Sequence, residues 1–560
     1  MAPTVPPRGP RGKRLGRLGS LARSRCPAQC PQVSPITILP PSPAGSFRLR
    51  RSGRVLAAAL LLAGGALLAL PAAATGQVRG VHLPLDHPAH PVAELLVARG
   101  VLEGLDGSVR PFPLRALRAS VAEARAAGRG GGPLAWLAAA LGPGLDAGGW
   151  GASAEVDLGL VVGTTVNPEL LLPRGDSAAA DLEGIRFGVE YGPVALQIEP
   201  WREQRGRHVD VPVATGRAEW RWGWVEWGEV DRNWGPPGVT GLLVAPLAGN
   251  RAELSFALGP PILRFEYRSA SLSDGVSTET GEPVARYWAL HRLRWRPTDG
   301  LELALWETTL AAEDAGPDEA RRSPFTPFSL FGQQGRSDQR NVIVGIDGTW
   351  RLRRSLRLET QLALDDFVKL GDDDNPYPHR FGWTVQARGG LGSQGTWRAY
   401  GTTLSGLALN TFRREEAYTD GEQGMGRLRP DHVELGFLVG RAAGFSGGDP
   451  ASGPGWPGQG VVEVGLKWRR QGERTFTDPF PAPPPGAPDL PTWSREIERE
   501  VWALVTRVDW LAGPFVLAGE GHLQHRRFPA SGEDADWGLE AVVRLVWRIG
   551  PFGWRGDGEG

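Results

Sequence analysis

Arg232, Asn233 and Trp234 stand in a row before Gly235-Pro236-Pro237. Guanidinium and amide groups hydrogen-bond sugar hydroxyls and uronic carboxylates, and an indole can cover a sugar face. Set between two strands, the triplet is a candidate glycan-binding element. The same residues could equally form a turn that ties down the interior of a β-structure. Asp372, Asp373, Asp374 and Asn375 follow the strand end Asp365-Asp366-Phe367 and make a second candidate. Carboxylates beside a side-chain carbonyl suit a glycan or Ca²⁺, but the stretch lacks the twelve-residue calcium-loop pattern. No metal site is therefore assigned, and a solvated acidic loop is the plainer alternative.

Other chemistry is poorly supplied. His291 shares a strand with Arg292, Arg294 and Arg296. Alternation points the arginines inward and His291 outward. A catalytic histidine would need an inward nucleophile beside it, and none is apparent. No phosphate loop, zinc-ligand spacing or hydrolase elbow is present. Cys26 and Cys30 are the sole cysteines and both precede the apolar run described below. A chain processed after that run would have no thiol chemistry and no disulfide. The formal net charge is zero, so no polyanion-binding signature points to nucleic acid. The expectation is a non-enzyme without a cofactor.

The elements that must position these residues are strands. Leu356, Leu358, Leu362 and Leu364 alternate with Arg357, Glu359 and Gln361. A strand sends successive side chains to opposite faces, so one face is apolar and the other charged. The pattern returns at Val156 to Val162, Val462 to Trp468 and Leu539 to Trp547. Charge on nearly every strand opposite an apolar face suits a barrel with lipid outside and polar packing inside. Glu359, Gln361, Asp365, Asp347, Arg388, Glu434, Glu463 and Lys467 would then form an internal ion-pair network. Tryptophans at strand ends (Trp220, Trp222, Trp224, Trp288, Trp295, Trp468, Trp510 and Trp547) would form interfacial girdles.

About seventeen strands can be marked between residues 155 and 548. Bacterial single-chain barrels have even numbers, so one strand is missing, with 239–246 and 404–411 the likeliest gaps. Short turns alternate with long connections near 311–341, 366–382, 412–432, 441–460 and 470–500. Short turns belong on the periplasmic side and long loops outside. The proline-rich stretch 479–491 cannot continue a sheet.

The N-terminal part differs. Residues 1–47 read as an unfolded leader or a start assigned too early. Arg48, Arg50, Arg51 and Arg54 precede an apolar run from Val55 to Leu70, then Ala72-Ala73-Ala74. That order makes 48–74 a secretory signal peptide cut after Ala74. Residues 78–145 read as a small helical periplasmic or plug domain, with helices opened near Pro91, Leu114 and Pro133 and stopped by Gly100 and Gly128. The barrel is expected over 150–550.

Several segments in order resemble the Wzi-type capsule-assembly family of outer-membrane proteins. They are the helical stretch around 87–100, 231–236 with 241–246, 291–297 leading into 301–307, 341–347, 364–367, and 424–431. The resemblance covers roughly 83–548. It implies an all-β, transmembrane antiparallel barrel of about 18 strands above a helical bundle, and a lectin-like role in holding capsular or other surface polysaccharide on the cell. Outer-membrane lipid would be the second partner. Val244-Ala245-Pro246-Leu247 departs from the family's polar stretch, and the chain runs past Phe552 and Trp554 instead of ending on an aromatic. The last strand is therefore expected to close near Trp547. The alternatives are a porin of the same architecture and, from a faint wall-attachment pattern over 87–125, peptidoglycan binding by the helical domain.

Overall fold

The computed structural model describes residues 77–144, 149–163, 179–204, 207–208, 213–230, 232–245, 251–313, 340–366, 378–411, 413–420, 423–427, 429–445, 458–476, 478, 480–481 and 490–556. The leader, the signal-peptide pattern, both cysteines, the 372–375 loop and most of 479–491 lie outside the described residues.

The chain forms a closed antiparallel barrel of 18 strands. The first nine are β1 (Trp150–Gly163), β2 (Ala179–Tyr191), β3 (Val194–Gln204), β4 (Val213–Trp220), β5 (Gly223–Glu229), β6 (Ala252–Leu258), β7 (Leu263–Val276), β8 (Pro283–Thr298) and β9 (Leu301–Glu313). The rest are β10 (Arg340–Arg353), β11 (Leu356–Asp366), β12 (Arg380–Leu391), β13 (Gly395–Leu404), β14 (His432–Ala443), β15 (Gln459–Gly472), β16 (Ile497–Ala512), β17 (Phe515–Phe528) and β18 (Glu533–Gly556). Each pairs with the next, and β18 closes on β1 from Trp150↔Gly556 to Gly163↔Val542. Closure leaves no strand edge unpaired, which hydrocarbon requires.

The faces are inverted relative to a soluble protein. Leu305 and Leu466 point outward and are 57% and 60% exposed, whereas Glu359 and Arg388 point inward and are 4% and 3% exposed. An apolar exterior around a charged interior suits a bilayer. Exposed Trp220, Trp222, Trp295 and Trp350 ring the short-turn end, and Trp383, Trp502 and Trp537 the other. Trp224 and Trp288 depart from the expected girdle: both point inward. The Arg217 guanidinium lies 4.1 Å from the Trp224 ring, and the Trp288 indole donates to the Tyr418 hydroxyl at 2.6 Å.

Three other expectations change. The missing strand is neither 239–246 nor 404–411. The candidate at 217–227 is two strands, β4 and β5, joined by a turn at Arg221-Trp222. The Trp220-Arg221-Trp222-Gly223-Trp224 alternation runs on through that turn and disguises it. Strand β18 continues to Gly556, past Trp547, because β1 offers it partners down to Trp150. The connection between β14 and β15 lies at the short-turn end, although it is long. There Phe445 packs edge-on against Trp136, ring centroids 5.9 Å apart.

Helices α1 (Ala89–Ala98), α2 (Leu114–Ala126) and α3 (Gly131–Leu141) precede the barrel. Among the described residues no helix is long and apolar enough to cross a membrane. Leu95, Leu96, Leu117, Val121, Leu134 and Leu137 turn their apolar stripes into one core that also takes in Ala442, Phe445 and Val461 of the barrel. Gly100 ends the first helical stretch at φ +69°, and a Cβ there would overlap the Arg354 carbonyl oxygen of the β10–β11 turn. Only glycine allows both the left-handed backbone and this approach.

Candidate functional site

The segment 230–245 leaves β5 and turns into the lumen. It does so because each polar group in it finds an inward partner on the wall. Buried Arg232 donates to Glu253 of β6 at 2.9 Å and to Glu226 of β5. Glu226 also takes Arg217 at 2.7 Å and the His82 imidazole at 2.9 Å. Asn233 donates to the Val239 carbonyl at 3.1 Å and accepts the Gly241 N–H at 2.8 Å, clasping the bend between them. The Trp234 indole donates to Asp347 of β10 at 3.0 Å, and the Trp306 indole donates to the other oxygen at 3.1 Å. The two indoles meet edge to face at 5.5 Å.

The structure thus brings Arg232, Asn233 and Trp234 together, but as an internal strut. Their side chains are spent on the wall and on the segment's own bend. The residues at 372–375 lie outside the described residues. His291 sits on the outer face, as alternation requires, beside Tyr267 at 5.2 Å between ring centroids.

The strut meets the helical segment at mid-lumen. Val109 and Arg110 pair with Trp234 and Asn233, and the Gly235 N–H donates to the Ser108 carbonyl at 2.8 Å. Asp106 stands 3.2 Å from Arg292 and 3.3 Å from Arg294. Burial opposes its charge, but these guanidinium groups and the Ser108 hydroxyl hold the Asp106 carboxyl well below the usual carboxylate range. Arg292 is also 3.2 Å from both Glu266 and Asp347. The expected inward network is present, with Arg388 on Glu359 at 2.6 Å and Lys467 on Glu434 at 2.9 Å. Burial depresses the imidazoles of His82, His87 and His90, the last to about 4.

A third insert enters from the long-loop end. The Leu409 N–H donates to Asp365 at 2.8 Å. Arg286 donates to the carbonyls of Glu415, Ala417 and Thr419 at 2.7, 2.8 and 2.9 Å. Leu242, Leu243, Leu404, Leu409, Tyr418 and Met425 share one apolar cluster inside the barrel.

Beside the strut a cavity of ≈ 70 Å³ remains, bounded by Gly238, Val239 and Thr240 on one side and by the β13–β17 wall on the other. Sequence reading picked out Lys467 and Glu434 here but missed Arg398, Arg427, Arg469 and Arg507. Three of these four lie at inward strand positions, so alternation on β13, β15 and β16 carried the signal. Among the described residues no grouping of His, Cys, Asp or Glu is arranged to hold a metal ion.

No family profile matches the chain, and no curated protein matches it in sequence. Among solved structures it is similar to Wzi of Escherichia coli, an outer-membrane carbohydrate-binding β-barrel involved in group 1 capsule assembly. The TM-score is 0.52 at 12% identity, covering 85% of this chain and 100% of Wzi. Pseudomonas aeruginosa OccK3 scores 0.38 at 12% identity over 72% of this chain and 96% of its own. OprD of the same organism scores 0.39 at 11% identity over 72% and 95%. Of the three, Wzi alone exceeds 0.5, and at 12% identity the likeness is one of architecture. The chain shares the fold of the Wzi-type capsule-assembly barrels.

Proposed function

We propose that this barrel sits in the outer membrane, with its helical segment on the periplasmic side, and binds surface polysaccharide so that capsule or exopolysaccharide stays on the cell. The role is non-catalytic. The observation that carries it is that, among the described residues, three segments occupy the lumen and bond to its wall. A diffusion channel needs a continuous aqueous path. Here the helical segment enters from one end, the 404–427 insert from the other, and the strut hydrogen-bonds to the wall between them. That arrangement speaks against a porin and in favour of a barrel that serves as a platform. The Wzi-like fold supports a carbohydrate as the ligand, and the signal-peptide pattern at 48–74 supports export.

The glycan-reading surface in this account is the long-loop end. The Arg232 strut holds those loops from below and does not touch sugar. In the wall-attachment pattern His87, Phe112 and Leu114 are buried, while Gly104, Arg115 and Ala116 are exposed. Two measurements on the purified barrel test the proposal. It should pull down surface polysaccharide from the source cells and should show no conductance steps in planar bilayers. Stable open channels with no polysaccharide capture would favour the porin.

A further inference from the structure

We infer that Trp493, at the long-loop end, is a platform for one sugar ring of a surface glycan, and that Asp431 holds it in place. This rests on the polysaccharide role proposed above and names a residue that would read the chain. Trp493 lies in the connection between β15 and β16 and keeps 38% of its surface open to solvent. Its ring meets Phe381 of β12 edge-on, centroids 5.8 Å apart and planes at 85°. Among the described residues no acceptor takes its indole N–H. The membrane girdle does not explain this residue. On β12 the girdle member is Trp383, which faces outward and donates to the Thr360 hydroxyl at 2.9 Å. Phe381 is two residues nearer the long-loop end on the same face, about 7 Å further along the strand. The Thr492 carbonyl accepts the Gly406 N–H at 2.8 Å, and Gly406 lies past Leu404, the last residue of β13. Trp493 therefore stands outside the girdle, at the level of the loops.

A ring on a loose loop would lose affinity to the entropy of ordering it, whereas a ring fixed during folding would not. Both chain neighbours of Trp493 are fixed. Thr492 is bonded to Gly406, and Ser494 gives its N–H to Asp431 at 3.0 Å and its hydroxyl to the other carboxylate oxygen. Asp431 is 2% exposed and sits at φ +59°, a left-handed conformation that aspartate tolerates better than most side chains. Its carboxylate also accepts the Arg474 N–H at 3.4 Å, and its carbonyl accepts the Gly472 N–H at 2.7 Å. Its own N–H donates to the Ser405 carbonyl at 3.4 Å. A Cβ on Gly472 would overlap the Asp431 carboxylate, so the chain is built closely around that group. One buried carboxylate thus ties the feet of the β13–β14 and β15–β16 connections together and sets Trp493 upon them. A pyranose presents a face of C–H groups that suits the electron-rich face of an indole, and a ring hydroxyl can accept the indole N–H. A tryptophan offers this large contact area at little cost in side-chain entropy.

The test is capture, by the detergent-purified full barrel, of two glycans from the source cells in separate arms: the polysaccharide shed to the medium and the lipopolysaccharide. Trp493→Ala should weaken capture at least tenfold, and Trp493→Phe should weaken it less. The arm in which capture falls names the source of the sugar. Asp431→Ala should weaken capture in the same arm, with Ser494→Ala as the milder variant if Asp431→Ala does not fold. The double variant Asp431→Ala/Trp493→Ala should bind no worse than Trp493→Ala alone, because Asp431 acts through the indole. The compact form on SDS gels shows which variants are folded. A wild-type barrel that captures neither glycan would overturn the polysaccharide role and this inference with it. Wild-type capture that folded Trp493→Ala leaves undiminished would overturn the platform alone. A double variant clearly weaker than Trp493→Ala would overturn the positioning role of Asp431.

Discussion

The indole of Trp234 donates to Asp347 at 3.0 Å, and that bond joins an internal segment to the barrel wall. Asp347 also receives Trp306 and faces Arg292, so one carboxylate locks the strut to β8, β9 and β10. The consequence is structural. Trp234→Phe should cost about 1 kcal/mol and Trp234→Ala about 3–5 kcal/mol. The midpoint of heat-induced loss of the compact form on SDS gels would read both. Neither should weaken polysaccharide capture by the fraction that stays folded. Loss of capture by folded Trp234→Phe would mean that the indole touches ligand.

Arg232 bridges two buried carboxylates. Arg232→Met leaves Glu226 to Arg217 and His82, and Glu253 to Arg268. Because those partners remain, the cost should sit near the low end for a broken buried pair, about 3 kcal/mol. Urea unfolding in detergent measures it. A cost near zero would contradict the strut role.

Gly100 is where the helical segment rests on the barrel. Gly100→Ala imposes a left-handed strain of about 1–2 kcal/mol and adds a clash with the Arg354 carbonyl. Residues 78–144 should become more open to protease while the barrel itself stays resistant. Equal protection in wild type and variant would contradict the docking described here.

Acid should loosen the same contact. His90 lies against the Phe112 ring at 5.2 Å, and burial drops its pKa from 6.5 to about 4. A depressed histidine is neutral in the fold and takes up its proton on release. Its stabilisation is therefore complete above pH 6.5 and is lost as pH falls toward 4, at about 1.4 kcal/mol per unit. His82 and His87 shift the same way and add to the effect. The depressed carboxyl of Asp106 acts in the same sense at lower pH, below the ordinary carboxylate range. Hydrogen exchange of 78–144 should quicken between pH 7 and pH 4.5 beyond the intrinsic rate change. Unchanged protection factors would contradict this assignment.

Much of the barrel was legible because its alternation is imposed by two solvents. Leu358 must meet lipid while Glu359 meets the lumen, and no other arrangement serves both. What sequence hid were features set by long-range partners. Arg221 and Trp222 lie at a turn that alternation cannot distinguish from a strand. Trp224 and Trp288 are apolar residues facing inward, where Arg217 and Tyr418 wait for them. Arg232, Asn233 and Trp234 read as a motif, but whether they bind sugar or brace the wall depends on Glu253, Val239 and Asp347. The cavity beside the strut draws on side chains from β13, β15 and β16 and on a loop residue, Arg427, which no local pattern connects.

The barrel is proposed to retain polysaccharide at the cell surface. The most direct measurement is deletion of the gene with surface polysaccharide quantified separately on cells and in medium, and complementation by wild type. Polysaccharide should move from cells to medium while the total is unchanged, and complementation should restore it. An unchanged distribution in the deletion strain would contradict a retention role.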